Sequence, residues 1–211
     1  MDEVEWWEFD TPAELAEQVV GDIGFVLESA AEGHGGARIA MPGRDLPQEL
    51  YKALLTAKGI NWAGVTIVPT HDASSGPAQS AALQAMFGAK GATVIDIAEA
   101  GGDIQLAELH WPLDLVLLSV GADGSVAGIR PGAAAEPALS APRARRAVAA
   151  GEGMTLTAAS LSAARAVMIV LEGGEQRAVV ERAIKDGPLS AAPIGRVLAE
   201  IEAGVDIFWT M

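Results

Sequence analysis

The chain has 211 residues, hydrophobic residues at half of its positions and a formal net charge of −14. This length suits one domain with a sizeable core, so we expect residues 1–211 to form a single domain. The lack of cysteine excludes disulfides and thiolate metal sites, and so acidic a surface disfavours nucleic-acid binding.

No apolar run reaches the roughly 18 residues that a membrane-spanning helix needs. The acidic N-terminal stretch, MDEVEWWEFD, lacks the basic and then apolar layout of a signal peptide. We therefore expect a cytoplasmic protein that does not associate with membranes.

Helices and strands alternate along the first part of the chain. Thr11, Pro12 and Glu14 combine a hydroxyl cap, a proline in the first turn and an early acid, which predicts a helix start. The pattern predicts helices over residues 12–31, 47–57 and 78–87, strands over 37–41, 65–68 and 93–97, and a loop over 71–77. Residues 113–118 form the strongest predicted strand, apolar on both faces apart from Asp114, as in a parallel sheet covered on both sides.

The same alternation continues to the end of the chain. It predicts strands over residues 154–157, 166–171 and 205–209, helices over 158–164, 174–185 and 193–203, and a long loop over 128–141. Strands that alternate with helices favour βαβ units. We therefore predict an α/β fold with an open, mostly parallel, doubly wound sheet and helices on both faces, similar to a Rossmann fold.

Ligands bind such sheets where strands end at their carboxyl side. The loop after the strongest strand contains Gly121 and Gly124, which permit a tight turn, and Asp123, which supplies a carboxylate. A dinucleotide-binding fingerprint is disfavoured, because such a motif precedes a clear helix near the start of a βαβ unit.

Residues 118–132, LSVGADGSVAGIRPG, resemble the signature LGMGxDGHTASLFPG of the 6-phosphogluconolactonase family. Further similarities follow in the family's order at residues 5–10 (EWWEFD), 50–54 (LYKAL), 61–65 (NWAGV), 154–157 (MTLT), 173–178 (GGEQRA) and 206–209 (DIFW). The resemblance implies an α/β fold shared with glucosamine-6-phosphate isomerases. It also implies a hydrolase of carbohydrate metabolism that opens 6-phosphoglucono-δ-lactone in the pentose phosphate pathway, without metal or cofactor.

Several positions depart from the family pattern. Ser125 stands where the resemblance implies a histidine that acts as general base. The family's phosphate loop, S-G-G-S-T-P, aligns with residues 42–47 and keeps only Gly43 in register. Its D-E-R loop falls on residues 71–73 and loses the arginine, its G-x-E-K lysine becomes Gln176, and the arginine before its L-T-L-T strand becomes Gly153.

Lactone hydrolysis needs a base that activates water, a donor for the developing oxyanion and cations or amides for the phosphate. We consider His71 as the replacement base and Asp72 as the group that orients it, although an exposed loop histidine explains the same pattern. The third catalytic candidate is Asp123. The candidate substrate-binding residues are Gly43, Arg44, Gly121, Gly124, Ser125, Arg130, Gln176 and Arg177.

No two histidines have a metal-ligand spacing, so we expect no metal. Two functions remain open. One is an enzyme, either a divergent lactonase or a relative that acts on another sugar phosphate. The other is a family member without turnover that binds a sugar phosphate or a protein partner. We expect a small sugar phosphate as the partner and a chain that acts as a monomer or a homodimer.

Overall fold

The computed structural model of the protein describes residues 4–73, 78–98, 102–151 and 153–211. The strands are β1 (Val4–Phe9), β2 (Ala37–Met41), β3 (Val65–Pro69), β4 (His71–Ala73), β5 (Thr93–Val94), β6 (Leu115–Ser119), β7 (Ala147–Ala150), β8 (Gly153–Leu156), β9 (Ala166–Glu172) and β10 (Val205–Thr210). The helices are α1 (Pro12–His34), α2 (Gln48–Thr56), α3 (Gln79–Phe87), α4 (Gly102–Glu108), α5 (Glu136–Leu139), α6 (Ala158–Ser162), α7 (Gly174–Asp186) and α8 (Pro193–Glu200).

Seven strands form one sheet in the order β1-β10-β9-β6-β2-β3-β5. All of its paired strands run parallel. The chain moves outward from β2 through β3 to β5, and later outward in the other direction from β6 through β9 to β10. The direction therefore reverses between β2 and β6, which confirms the predicted doubly wound α/β fold.

The central strand β6 is buried on both faces. Leu115 and Leu117 contact the core layer that contains α1, α2 and α3, whereas Val116 and Leu118 contact the layer that contains α6, α7 and α8. Each of these side chains contributes about 1.5–3 kcal/mol on burial. The strand thus anchors the loop that follows it, which begins at Val120.

Helix α1 shows how the sequence defines an element end. The Thr11 hydroxyl accepts from the Glu14 N–H at 3.2 Å, and Leu15, Val19 and Ile23 are buried on one face. The helix continues past the predicted residue 31 to His34 and ends at Gly35, whose φ of 82° is left-handed. Among the described residues, no helix combines the length and apolar composition that crossing a membrane requires.

A second, three-stranded antiparallel sheet in the order β4-β8-β7 was not predicted. Residues 71–73 form β4 rather than part of a loop, and His71 pairs with Thr155 of β8. The remaining residues of the predicted loop, 74–77, lie outside the described residues. A strand of three residues, two of them polar, has no apolar alternation from which it could be recognised.

Other differences concern short or partly exposed elements. Strands β1 and β7 and helix α4 were not predicted, and the strand expected over residues 93–97 is limited to Thr93–Val94. The loop expected over residues 128–141 contains a 3₁₀ turn, Ala133–Ala135, and the short helix α5. In β1 every described side chain is at least partly exposed, because this strand lies at the edge of the sheet.

Candidate active site

A cavity of about 330 Å³ opens at the carboxyl ends of β2, β3 and β6, where the winding direction of the sheet reverses. This is the place where doubly wound sheets bind their ligands. The residues that line the cavity are Pro42, Asp45, Thr70, His71, Leu118, Ser119, Val120, Gly121, Ser125, Val126, Ala127, Gly128, Arg130 and Gln176. Five of the predicted site residues, His71, Gly121, Ser125, Arg130 and Gln176, are therefore brought together.

The glycine loop after β6 is closed by its own backbone. The Gly121 N–H donates to the Ser125 carbonyl at 2.9 Å, and the Gly124 N–H donates to the Gly121 carbonyl at 2.8 Å. Gly124 has a φ of 81°, and an added Cβ would lie 2.5 Å from the Ala192 Cβ. Gly121 and Ser125 thus shape the cavity wall, whereas Gly124 permits close packing behind it and does not line the cavity.

Asp123 does not line the cavity and is exposed. Its carboxylate accepts from the Ser125 backbone N–H at 3.0 Å. Hydrogen bonds from the Ser125 hydroxyl and backbone lower the pKa of the Asp123 carboxyl. The structure therefore places Asp123 as an ionised acceptor that holds the turn, not as a group facing the cavity as the catalytic prediction required.

His71 begins β4 and faces the cavity, with 22% of its side chain exposed. Its Nε2 lies 3.3 Å from Asp45 Oδ2 and its Nδ1 lies 3.3 Å from Thr70 Oγ1. Burial lowers the pKa of the imidazole, and Arg130 lowers it further, while Asp45 and Asp72 act in the opposite direction. The net effect favours a neutral imidazole, the form that accepts a proton.

Asp72 does not orient His71 through a hydrogen bond, contrary to the prediction. Its carboxylate is buried and accepts from the backbone N–H groups of Gln79, at 2.7 Å, and Ser80, at 3.0 Å. Successive side chains of a strand point to opposite faces, so the neighbour of a cavity-facing residue points away from the cavity. Asp72 caps the start of α3, and Asp45 is the carboxylate that contacts the His71 ring.

Two arginines flank the cavity without a carboxylate partner among the described residues. Arg130 lines the cavity itself, and Arg44 lines an adjoining cavity of about 270 Å³ at the start of α2. The two cavities share Asp45, Ser119 and Gln176. Gln176 Oε1 accepts from the Glu172 N–H at 2.8 Å, which leaves the amide nitrogen as a donor.

Gly43 and Arg177 lie outside the cavity, although both were predicted to bind substrate. The Gly43 N–H donates to Gln79 Oε1 at 2.7 Å, and a Cβ on Gly43 would collide with the Gln79 backbone carbonyl. Arg177 binds Glu8 and Glu181, both at 2.8 Å, because it projects from α7 toward the sheet edge. Its guanidinium lies 4.4 Å from the centre of the Trp209 ring.

Four further residues of this site were not predicted from the sequence: Asp45, Thr70, Gln79 and Gly128. Asp45 lies in residues 42–47, which align with the family's phosphate loop, and that position could have indicated it. Its acidic side chain did not suggest a role in binding phosphate. Nothing in the local sequence indicated Gln79, because only the folding of the chain brings it from the start of α3 to His71. Among the described residues, no group of three or more His, Cys, Asp or Glu side chains could hold a metal ion.

The fold and the cavity together define a doubly wound α/β protein whose switch-point cavity is lined by His71 and Arg130. The family described as glucosamine-6-phosphate isomerases/6-phosphogluconolactonase matches residues 10–209. The chain therefore belongs to this family, as the resemblance implied.

Individual relatives match along nearly the whole chain. A 6-phosphogluconolactonase of Mesorhizobium japonicum is 30% identical and covers 97% of this chain and 94% of its own length. A 6-phosphogluconolactonase of Rhizobium meliloti is 28% identical, with coverage of 95% and 96%. The crystal structure of a 6-phosphogluconolactonase from Shewanella baltica has a TM-score of 0.88 and 25% identity, and covers 100% of this chain and 99% of its own.

Proposed function

We propose that the protein is a 6-phosphogluconolactonase in which His71 acts as the general base. One observation carries this proposal: the His71 imidazole, whose pKa is lowered by burial, faces the switch-point cavity beside Arg130. The proposal is supported by the family membership and by the two 6-phosphogluconolactonases that match over more than nine-tenths of the chain.

The reaction needs one proton to move twice. His71 accepts a proton from water while the water oxygen attacks the lactone carbonyl, and the carbonyl oxygen becomes an oxyanion. When the oxyanion collapses, the bond between the carbonyl carbon and the ring oxygen breaks, and the imidazolium returns the proton to the ring oxygen. One water is consumed and the open-chain sugar acid is released, without a metal or cofactor.

Lactone hydrolysis also needs a donor for the developing oxyanion and a group that binds the phosphate, and polar groups in and beside the cavity can supply both. Arg130 and the amide nitrogen of Gln176 are the donors available to the oxyanion. For the phosphate we propose the adjoining cavity, where Arg44 stands beside the start of α2. The unpaired N–H groups at a helix start and an arginine fork both favour a phosphate group.

The experiment compares lactone hydrolysis by the wild-type chain with the spontaneous rate, and adds the variants His71→Gln and His110→Gln. We expect wild-type acceleration, a fall of roughly 10²- to 10⁴-fold in kcat for His71→Gln and no change for His110→Gln, which is exposed outside the cavity. Because the pKa of His71 is lowered from its ordinary value of 6.5, the wild-type rate should fall only at pH values below 6.5. A wild-type chain that does not accelerate the reaction contradicts the activity, and a fully active His71→Gln variant contradicts the base.

We further propose that this reaction takes place in the cytoplasm as a step of the pentose phosphate pathway. The two 6-phosphogluconolactonases that match along nearly the whole chain support this placement. As part of the same proposal, the chain forms a single domain and acts as a monomer or a homodimer. It has no nucleic-acid partner.

A further inference from the structure

Three polar side chains from separate parts of the chain meet at one point of the cavity wall. Gln79 Nε2 lies 3.2 Å from Asp45 Oδ2 and 3.2 Å from His71 Nε2, and His71 Nε2 lies 3.3 Å from Asp45 Oδ2. Two nitrogens and one carboxylate oxygen thus form a nearly equilateral triangle. The positions of the protons in this triangle decide which nitrogen of His71 is basic.

The orientation of the Gln79 amide is fixed by the backbone. Gln79 Oε1 lies 2.7 Å from the Gly43 nitrogen, and a backbone N–H can only donate. The oxygen of the amide therefore faces Gly43 and its NH₂ group faces Asp45 and His71. At this corner of the triangle only a donor is present.

Two proton arrangements remain for a neutral His71. If Nε2 carried no proton, it would accept from Gln79 but would hold its lone pair 3.3 Å from the anionic Asp45 oxygen. If Nε2 carries the proton, it donates to Asp45 Oδ2, which then accepts from both His71 and Gln79. Hydrogen bonds to an ionised acceptor are about twice as strong as neutral ones, so the second arrangement is favoured.

The second arrangement also gives the other ring nitrogen, Nδ1, a hydrogen-bond partner. Nδ1 is then unprotonated and lies 3.3 Å from the hydroxyl of Thr70, which can donate to it. Thr70 lines the same cavity as His71. The nitrogen that can accept a proton is therefore on the Thr70 side of the ring.

We infer that Asp45 and Gln79 are positioning residues that hold His71 as the Nε2–H tautomer, with Nδ1 as the basic nitrogen. The catalytic meaning of this inference rests on the proposed function, because it assumes that His71 is the base. The Asp45 carboxylate then also stabilises the imidazolium that forms when Nδ1 takes a proton. The other charged groups that act on the ring are Asp72, which favours the imidazolium, and Arg130, which opposes it.

The tautomer can be read directly by long-range ¹H–¹⁵N correlation spectroscopy of the imidazole rings. The chain has three histidines, so the His71 signals are assigned by comparison with His71→Gln. At a pH where His71 is neutral, we expect the unprotonated-nitrogen signal at Nδ1 and the protonated-nitrogen signal at Nε2. The opposite assignment would overturn the inference.

The variant Asp45→Asn tests the positioning role, since it removes the charge while keeping the shape of a half-exposed side chain. We expect a mixed tautomer population, an acid limb of the rate profile that moves to lower pH, and a kcat lower by on the order of tenfold with little change in KM. Asp22→Asn on α1 removes the same charge away from the cavity and should change none of these. An unchanged tautomer in Asp45→Asn would overturn the role of Asp45.

A separate variant tests Gln79. Gln79→Glu keeps an oxygen acceptor for the Gly43 N–H but replaces the donor that faces Asp45 with a second carboxylate. We expect the pKa of His71 to rise in the nitrogen titration, since two carboxylates then face its ring, and an unchanged titration would overturn the role of Gln79. The tautomer is read without turnover, so an inactive chain with the Nε2–H tautomer contradicts the proposed function alone.

Discussion

At the scale of single residues, the backbone of Gly128 limits where the His71 ring can lie. Gly128 has a φ of 74°, and an added Cβ would lie 2.8 Å from both Cγ and Cδ2 of His71. A methyl group there must displace the ring, so we expect Gly128→Ala to lower lactonase kcat at least about tenfold. The left-handed backbone should also lower the free energy of unfolding by about 1–2 kcal/mol.

The variant Gly35→Ala separates these two effects. Gly35 has a similar φ of 82°, and no atom lies within 4 Å of an added Cβ. We expect a comparable loss of stability in urea denaturation but unchanged hydrolysis. Equal activity of the two variants would show that the position of the His71 ring does not depend on Gly128.

At the scale of elements, Asp72 connects β4 to the start of α3. Its buried carboxylate accepts from the N–H groups of Gln79 and Ser80, which have no partner within their own helix. Asp72→Ala would leave both buried donors unsatisfied, so we expect a loss of about 2 kcal/mol or more in unfolding free energy. Urea denaturation measures it, and Asp72→Asn, which keeps one acceptor oxygen, should lose less. A stable Asp72→Ala variant without activity would instead support the catalytic role predicted from the sequence.

The elements also show what the sequence could and could not predict. Helix α1 and strand β6 have full apolar patterns and recognisable ends, and both were predicted close to their observed bounds. Strands β4 and β7 have three and four residues, and they exist because they pair with β8 in the folded chain. Such strands depend on partners distant in sequence, so local patterns contain little information about them.

The residues of the site were also predictable only in part. The rule that ligands bind at carboxyl strand ends pointed to His71, and the family resemblance pointed to Arg130; both residues line one cavity. Asp72 and Arg177 were proposed in the same two ways but do not line it, because both locate a residue along the chain and not the direction of its side chain. Gln79 was missed since its contact with His71 depends on how α3 packs against the end of β3.

At the scale of the whole molecule, the carboxyl and amino ends of the strands in the large sheet hold different groups. The carboxyl ends of the strands hold the cavity lined by His71 and Arg130, and beside it the adjoining cavity lined by Arg44. The amino edge holds Asp114, which is 2% exposed just before β6. Its carboxylate contacts the Arg38 N–H at 2.8 Å, His34 Nε2 at 3.0 Å and Arg165 Nε at 3.5 Å. This cluster joins the end of α1 to the starts of β2 and β9.

Because the cluster lies at the edge opposite the cavity, stability and activity should separate when it is broken. Asp114→Ala removes a buried acceptor that holds three partners, so we expect unfolding free energy to fall by about 2–3 kcal/mol in urea denaturation. The folded fraction should hydrolyse the lactone with unchanged KM. Glu202→Gln breaks the exposed Arg143–Glu202 pair, 3.2 Å long, and should change stability by less than about 0.5 kcal/mol. A change of KM in Asp114→Ala would mean that the amino edge also shapes the cavity, through strand β6 that joins them.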